Sequence, residues 1–212
     1  MTVEKIQPEA VAIAPATGVT PAAPNPAMVG LPTFVAGATT LGLTLTGYVP
    51  GSTTGAVVPV VLMASGLGSL IATFWALRLG ESVVAGIYGI FAGFWLSYAV
   101  LVLGLAHNWF GIAPSAITHT IATFLISWLV VVGVLTLATL SLPWVYTLLF
   151  AFIELSLAFS LAGTLADSTT LSKLGGYAAL GLTAVGAYLF WSVCLQATGH
   201  KALPVGRPVL PS

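Results

Sequence analysis

VVAGIYGIFAGFWLSYAVLVLGL, residues 83–105, runs for 23 residues without an Asp, Glu, Lys or Arg. As an α-helix it is about 34 Å long, and the hydrocarbon of a bilayer is about 30 Å thick. Its apolar residues do not alternate with polar ones, so it does not read as a barrel strand. It reads as a membrane-spanning helix. Ala85, Gly89, Gly93 and Ser97 recur every four residues. That spacing lays a groove of small side chains along one face, where a neighbouring helix gains dispersion contacts that lipid does not offer.

Five further stretches meet the same test, near 30–48, 56–79, 117–139, 143–166 and 174–198. The connections are short: Gly51 to Gly55, Leu79 to Ser82, His107 to Ser115, and Ser141-Leu142-Pro143. No soluble domain fits between the spans. The fold class predicted is all-α: six transmembrane helices in a compact bundle over residues 25–200. A disordered cytoplasmic tail is expected over 1–24, rich in Pro, Ala and Thr and without the apolar core of a signal peptide. A short cytoplasmic tail is expected over 201–212.

Composition agrees. Of 212 residues 58 % are apolar and 5 % are charged, and the formal net charge is zero. Soluble domains carry about 25 % charged residues. This chain has too little polar surface for a soluble enzyme and too few cations to neutralise a phosphate backbone, so no nucleic-acid partner is expected. One cysteine, Cys194, rules out an internal disulfide framework and a Cys-based zinc site. No metal and no cofactor are expected; a b-type haem would need paired histidines within the spans. Orientation follows from Lys and Arg. With six spans, Lys5, Arg78, Lys201 and Arg207 share one side and Lys173 lies on the other. Both termini are therefore expected in the cytoplasm, with the chain in the plasma (inner) membrane.

Few charged residues lie within the spans. Glu154 is the only acid near the middle of one. A charged residue at that depth costs about 2.5–3.5 kcal/mol on insertion scales, so it needs a partner, a wet cavity or a proton. It is a candidate proton relay; the structural alternative is a protonated acid bonded to a neighbouring hydroxyl. Thr39, Thr40, Thr44 and Thr46 place hydroxyls along the first span. They either bond their own helix carbonyls or line a polar path. Arg78 and Glu81 are three residues apart and are expected to pair locally. An enzyme would need a nucleophile–base pair, and His107 and His119 flank a loop, not mid-membrane.

The first span begins Asn25-Pro26-Ala27-Met28-Val29-Gly30-Leu31. This resembles the Asn-Pro-Ala-Pro-Leu-Gly-Leu signature of the acetate uptake transporter family, the YaaH/SatP-like succinate–acetate permeases. Gly80-Glu81-Ser82 followed by Phe91-Ala92-Gly93-Phe94-Trp95-Leu96 resembles the family's Gly-Asn-Thr and Tyr-Gly-x-Phe-Trp-Leu. Leu203-Pro204-Val205-Gly206 resembles its Leu-Pro-Ile-Gly. The three occur in order over about residues 24–207. Pro26 and Gly30 are expected to permit an unwound backbone whose amides face an anion.

The resemblance implies a six-helix protomer assembled as a homo-hexamer, each protomer with its own path for acetate. Carried over by position, the family's Phe, Tyr and Leu constriction falls on Phe34, Phe91 and Ile153. Phe91 lacks the hydroxyl of the family's tyrosine. Glu154 is expected beside this constriction, where the family does not usually have an acid. Glu81 replaces the usual Asn, and Met28 the usual Pro.

The reading is a transporter or channel for acetate and similar small monocarboxylates, carried as the acid or with a proton. Asn25, Gly30, Thr39 and Thr40 are the candidate substrate-binding residues. Phe34, Phe91 and Ile153 are the candidate constriction, and Glu154 the candidate proton relay. Two alternatives stand beside it: a channel for a small neutral solute such as urea, ammonia or a short amide, and a partner subunit without transport of its own.

Overall fold

The structure is a computed structural model, described here over residues 23–210. The tail expected over 1–24 lies almost wholly outside the described residues. Six helices long and apolar enough to span a membrane are present among the described residues: α1 (Ala27–Leu45), a composite second span ending in α2 (Leu67–Arg78), α3 (Ser82–Ala106), α4 (Ile117–Thr139), α5 (Trp144–Leu165) and α6 (Thr169–Ala197). No strand forms among those residues; one isolated antiparallel bridge links Pro143 and Pro208. The chain is an integral membrane protein of six antiparallel spans.

Two boundaries differ from expectation for local reasons. α1 starts three residues early because Asn25 Oδ1 accepts the Ala27 amide at 2.9 Å and opens the helix there. It ends at Gly47, whose φ of +84° leaves the helical region. The expected unwinding at Gly30 does not occur: its amide bonds the Pro26 carbonyl at 3.0 Å, within a regular helical start. α6 begins five residues early, because Ser168 Oγ accepts the Leu171 amide and caps the helix ahead of Lys173.

The second span is not one regular helix. A 3-10 segment over Gly51–Val57 leads to a π-helical turn over Val60–Gly66, and only then to α2. Ser65, fully buried on that turn, donates to the Thr33 carbonyl of α1 at 2.7 Å. This bond ties the irregular turn to α1, and Gly37 of α1 leaves room for Ser65 and Trp95.

α1 is central, packed on α6 and on the second span; α5 lies between α6 and α4, and α3 lies on α2. α1 and α6 approach closely enough for backbone to meet backbone. A β-carbon on Gly42 would meet the Gly176 carbonyl at 3.1 Å, and one on Gly176 would meet the Gly42 carbonyl at 3.0 Å. The expected groove on α3 serves two neighbours: Gly89 faces Thr73 of α2 and Gly93 faces Trp128 of α4. α3 and α4 meet mainly through rings, with Phe94 5.7 Å from Phe124 and 5.4 Å from Trp128 between centroids.

After α6 the chain folds back over the ends of α5 and α6. The Arg207 and Val205 carbonyls accept the Trp144 and Val145 amides, which are unsatisfied donors at the start of α5. Tyr188 donates to the Pro204 carbonyl at 2.7 Å, and Ser192 Oγ accepts the Leu203 amide. The ion pair expected between Arg78 and Glu81 does not form: both side chains are exposed, and Glu81 sits at the non-helical turn that precedes α3.

Candidate functional site

Three cavities lie in series through the bundle. The first, a vestibule of about 290 Å³, opens at the end where α1 and α3 begin and α6 ends. Asn25, Tyr88, Tyr146, Gln196 and Glu81 give it polar edges, while Leu31, Phe150 and Leu189 are among its apolar walls. A wider recess of about 760 Å³ outside it shares Asn25, Glu81 and Gln196. With Asn25 Oδ1 committed to the Ala27 amide, the Nδ2 hydrogens are what this residue offers a solute.

Phe34 and Phe91 close the inner end of the vestibule. Their ring centroids are 4.7 Å apart at 54°. Phe150 backs Phe91 at 5.7 Å, and Trp95 backs Phe34 at 6.3 Å. Both phenylalanines are buried, and both also line the next compartment.

That middle compartment holds about 30 Å³ and is walled by Ala38, Val132, Ile153 and Leu182 with the rings. This is about one water's share of liquid volume. Apart from Ser156 and the Trp95 indole its lining is apolar, and an unpaired charge in such a space is strongly disfavoured. The structure therefore brings Phe34, Phe91 and Ile153 together around the smallest of the three cavities.

Leu41, Phe94, Ser156 and Leu157 separate this compartment from a third cavity of about 460 Å³ at the opposite end. There Ser156, Ser160 and Thr164 follow at four-residue spacing along α5, and Ser172 of α6 joins them. Tyr98 of α3 lines the same cavity. The sequence reading did not single out this hydroxyl row. Its spacing of four on one span is the signal that marks it. Tyr88, Tyr146 and Gln196 were missed as well, because residues near span ends read as interfacial.

The other sequence candidates stand elsewhere. Gly30 lies under the Tyr88 ring, in space that a β-carbon would fill. The Thr39 and Thr40 hydroxyls donate to the Val35 and Ala36 carbonyls of their own helix at 2.7 and 2.9 Å, and neither residue is among those lining the three cavities. Glu154 neighbours Ile153 in sequence but turns toward α4, where its Oε1 would lie 3.6 Å from a β-carbon on Gly133. That oxygen is buried without a hydrogen-bond partner, and Glu154 too is absent from the lining of the three cavities.

Comparison with known proteins agrees with this architecture. A solved structure described as that of the bacterial acetate channel SatP superposes with a TM-score of 0.76, covering 86 % of this chain and 99 % of that one at 21 % identity. The ammonia transport outward protein 3 of Saccharomyces cerevisiae (strain ATCC 204508 / S288c) is 26 % identical over 181 residues, which is 84 % of this chain and 66 % of that protein. The chain thus spans slightly under two thirds of that relative's length. The profile of the GPR1/FUN34/yaaH family matches residues 6–204, nearly the full length of the chain and all six spans, and to that family the protein belongs.

Proposed function

We propose that this protein passes acetate and similar small monocarboxylates across a membrane, as the uncharged acid or as the anion with a proton. The observation that carries the reading is the Phe34–Phe91 pair, which divides a polar-edged vestibule from a small compartment whose walls are apolar apart from Ser156 and the Trp95 indole. Asn25 Nδ2, Tyr88 and Gln196 hold the carboxyl group in the vestibule by hydrogen bonds. Passage then strips its water. A proton on the carboxyl removes the charge that the middle compartment cannot solvate. Rotation of the two rings admits a solute of a few heavy atoms, and Ser156 and Ser160 restore hydrogen bonds beyond, the Thr164 hydroxyl being held by the Ser160 carbonyl. No step in this path uses Thr39, Thr40 or Glu154, and none makes or breaks a covalent bond in the solute. Family membership and the likeness in fold to an acetate channel support the reading.

A neutral solute is the second reading, supported by the same apolar compartment and by the name of the yeast relative. For the assembly we propose a homo-hexamer with one path per protomer. The exposed apolar side chains of α2 and α4, such as Phe74, Val130 and Val134, supply surface for lipid and for neighbouring copies. Cytoplasmic termini in the plasma (inner) membrane are supported by the four-to-one distribution of Lys and Arg.

The test is uptake of labelled acetate by proteoliposomes of the purified protein, with and without an inward proton gradient, beside protein-free vesicles. Uptake above background that rises with the gradient is expected. Displacement of that uptake by urea or acetamide would favour the neutral-solute reading. No excess uptake by folded protein would overturn both.

A further inference from the structure

Among the described residues the vestibule has one charged group. Glu81 stands at the turn between α2 and α3 and lines both the 290 Å³ vestibule and the 760 Å³ recess outside it. Its carboxylate is exposed and forms no ion pair with Arg78. The other polar residues lining the vestibule, Asn25, Tyr88, Tyr146 and Gln196, are neutral, and no Lys or Arg among the described residues lines either chamber. A solute arriving from this end meets an uncompensated negative charge before it meets the aromatic pair.

We propose that Glu81 is a charge filter that keeps carboxylate anions out of the vestibule, so that the species reaching Phe34 and Phe91 is the uncharged acid. The inference rests on the monocarboxylate reading and names the form of the substrate. A cleft with apolar walls focuses the field of a charge at its mouth, and such fields change local ion concentrations by tenfold or more. Here the walls are aliphatic and aromatic, and the sign excludes anions. The neutral amide and phenol groups remain able to bond a protonated carboxyl, whose own hydroxyl can donate in return. The filter and the middle compartment divide the task. The compartment rejects an ion by failing to solvate it, and Glu81 keeps the more abundant anion from occupying the vestibule and blocking the acid.

The experiment reads acid uptake by vesicles of the purified protein with an internal pH dye. Acetic acid outside is held fixed while the acetate anion is raised by raising the outside pH. Glu81→Gln is expected to be half-inhibited by the anion at about one third to one tenth of the concentration that the wild type needs, with Glu81→Asn as a second neutral variant. Glu81→Asp, which keeps the charge, should remain at the wild-type level. A neutral variant no more sensitive to the anion than the wild type, beside intact wild-type acid uptake, overturns the filter alone. Wild-type acid uptake equal to that of protein-free vesicles overturns the transport reading and the filter with it.

Discussion

The ring of Tyr88 occupies the space that a β-carbon on Gly30 would need. The glycine of the first-span motif therefore serves a buried aromatic ring on α3, and the helix around it stays regular. Tyr88 reaches the vestibule only because α1 is bare at this point. Gly30→Ala is expected to push the ring into the cavity. Overpacking of this kind costs about 1–3 kcal/mol, so the apparent Tm should fall and acid uptake should drop about tenfold. Replacing Tyr88 by Leu in the Gly30→Ala background should recover most of the lost stability. Additive losses in the double variant would show that the two residues do not share this space.

Phe34 and Phe91 sit on different helices, and their contact is what closes the vestibule. Phe34→Ala opens a passage about as wide as the missing ring. Uptake of a four-carbon acid should rise relative to acetate by about tenfold. The same variant removes a buried ring from the core, which costs about 3–5 kcal/mol, so Phe34→Leu is the milder companion. Unchanged selectivity in both variants, with the protein folded, would place the narrowest barrier elsewhere.

The fold was legible because span length and polarity are set by the bilayer, and composition alone reports them. α3 was expected over 83–105 and occupies Ser82–Ala106. The π-helical turn over Val60–Gly66 was not legible, since the bond that ties it down runs from Ser65 to a carbonyl on another helix. The aromatic pair came from the resemblance to a family. The residues around it did not, because cavity lining depends on rotation about each helix axis. Ile153 and Glu154 make the point: one residue apart, they turn to different neighbours, and only the first lines the middle cavity. Thr39 and Thr40 fail for a simpler reason, their hydroxyls being spent on their own helix.

Glu154 offers a prediction of the opposite sign from most buried substitutions. Its Oε1 is buried between α4 and α5 without a hydrogen-bond partner, and an unsatisfied polar group costs about 1–3 kcal/mol. Glu154→Leu keeps similar volume and removes that cost. The apparent Tm in detergent should rise by several degrees, and proton-driven acid uptake should persist within about twofold. Loss of the gradient's effect in this variant would return the carboxyl to the solute's path as a proton relay.

The last prediction concerns the segment that folds back after α6. Gly206 has a φ of +81°, and a β-carbon there would collide with the indole of Trp144. An L-residue in that backbone region costs about 1–2 kcal/mol by itself, and the collision adds to it. Gly206→Ala should therefore detach the segment locally, exposing the Trp144 and Val145 amides that the Arg207 and Val205 carbonyls now satisfy. Hydrogen exchange at those two amides should accelerate by about tenfold or more, while exchange in the middle of α5 stays slow. Trp144→Ala in the same background should restore part of the protection, because it removes the ring but not the carbonyls. Equal exchange rates in Gly206→Ala and the wild type would mean that the start of α5 does not depend on this segment for its hydrogen bonds.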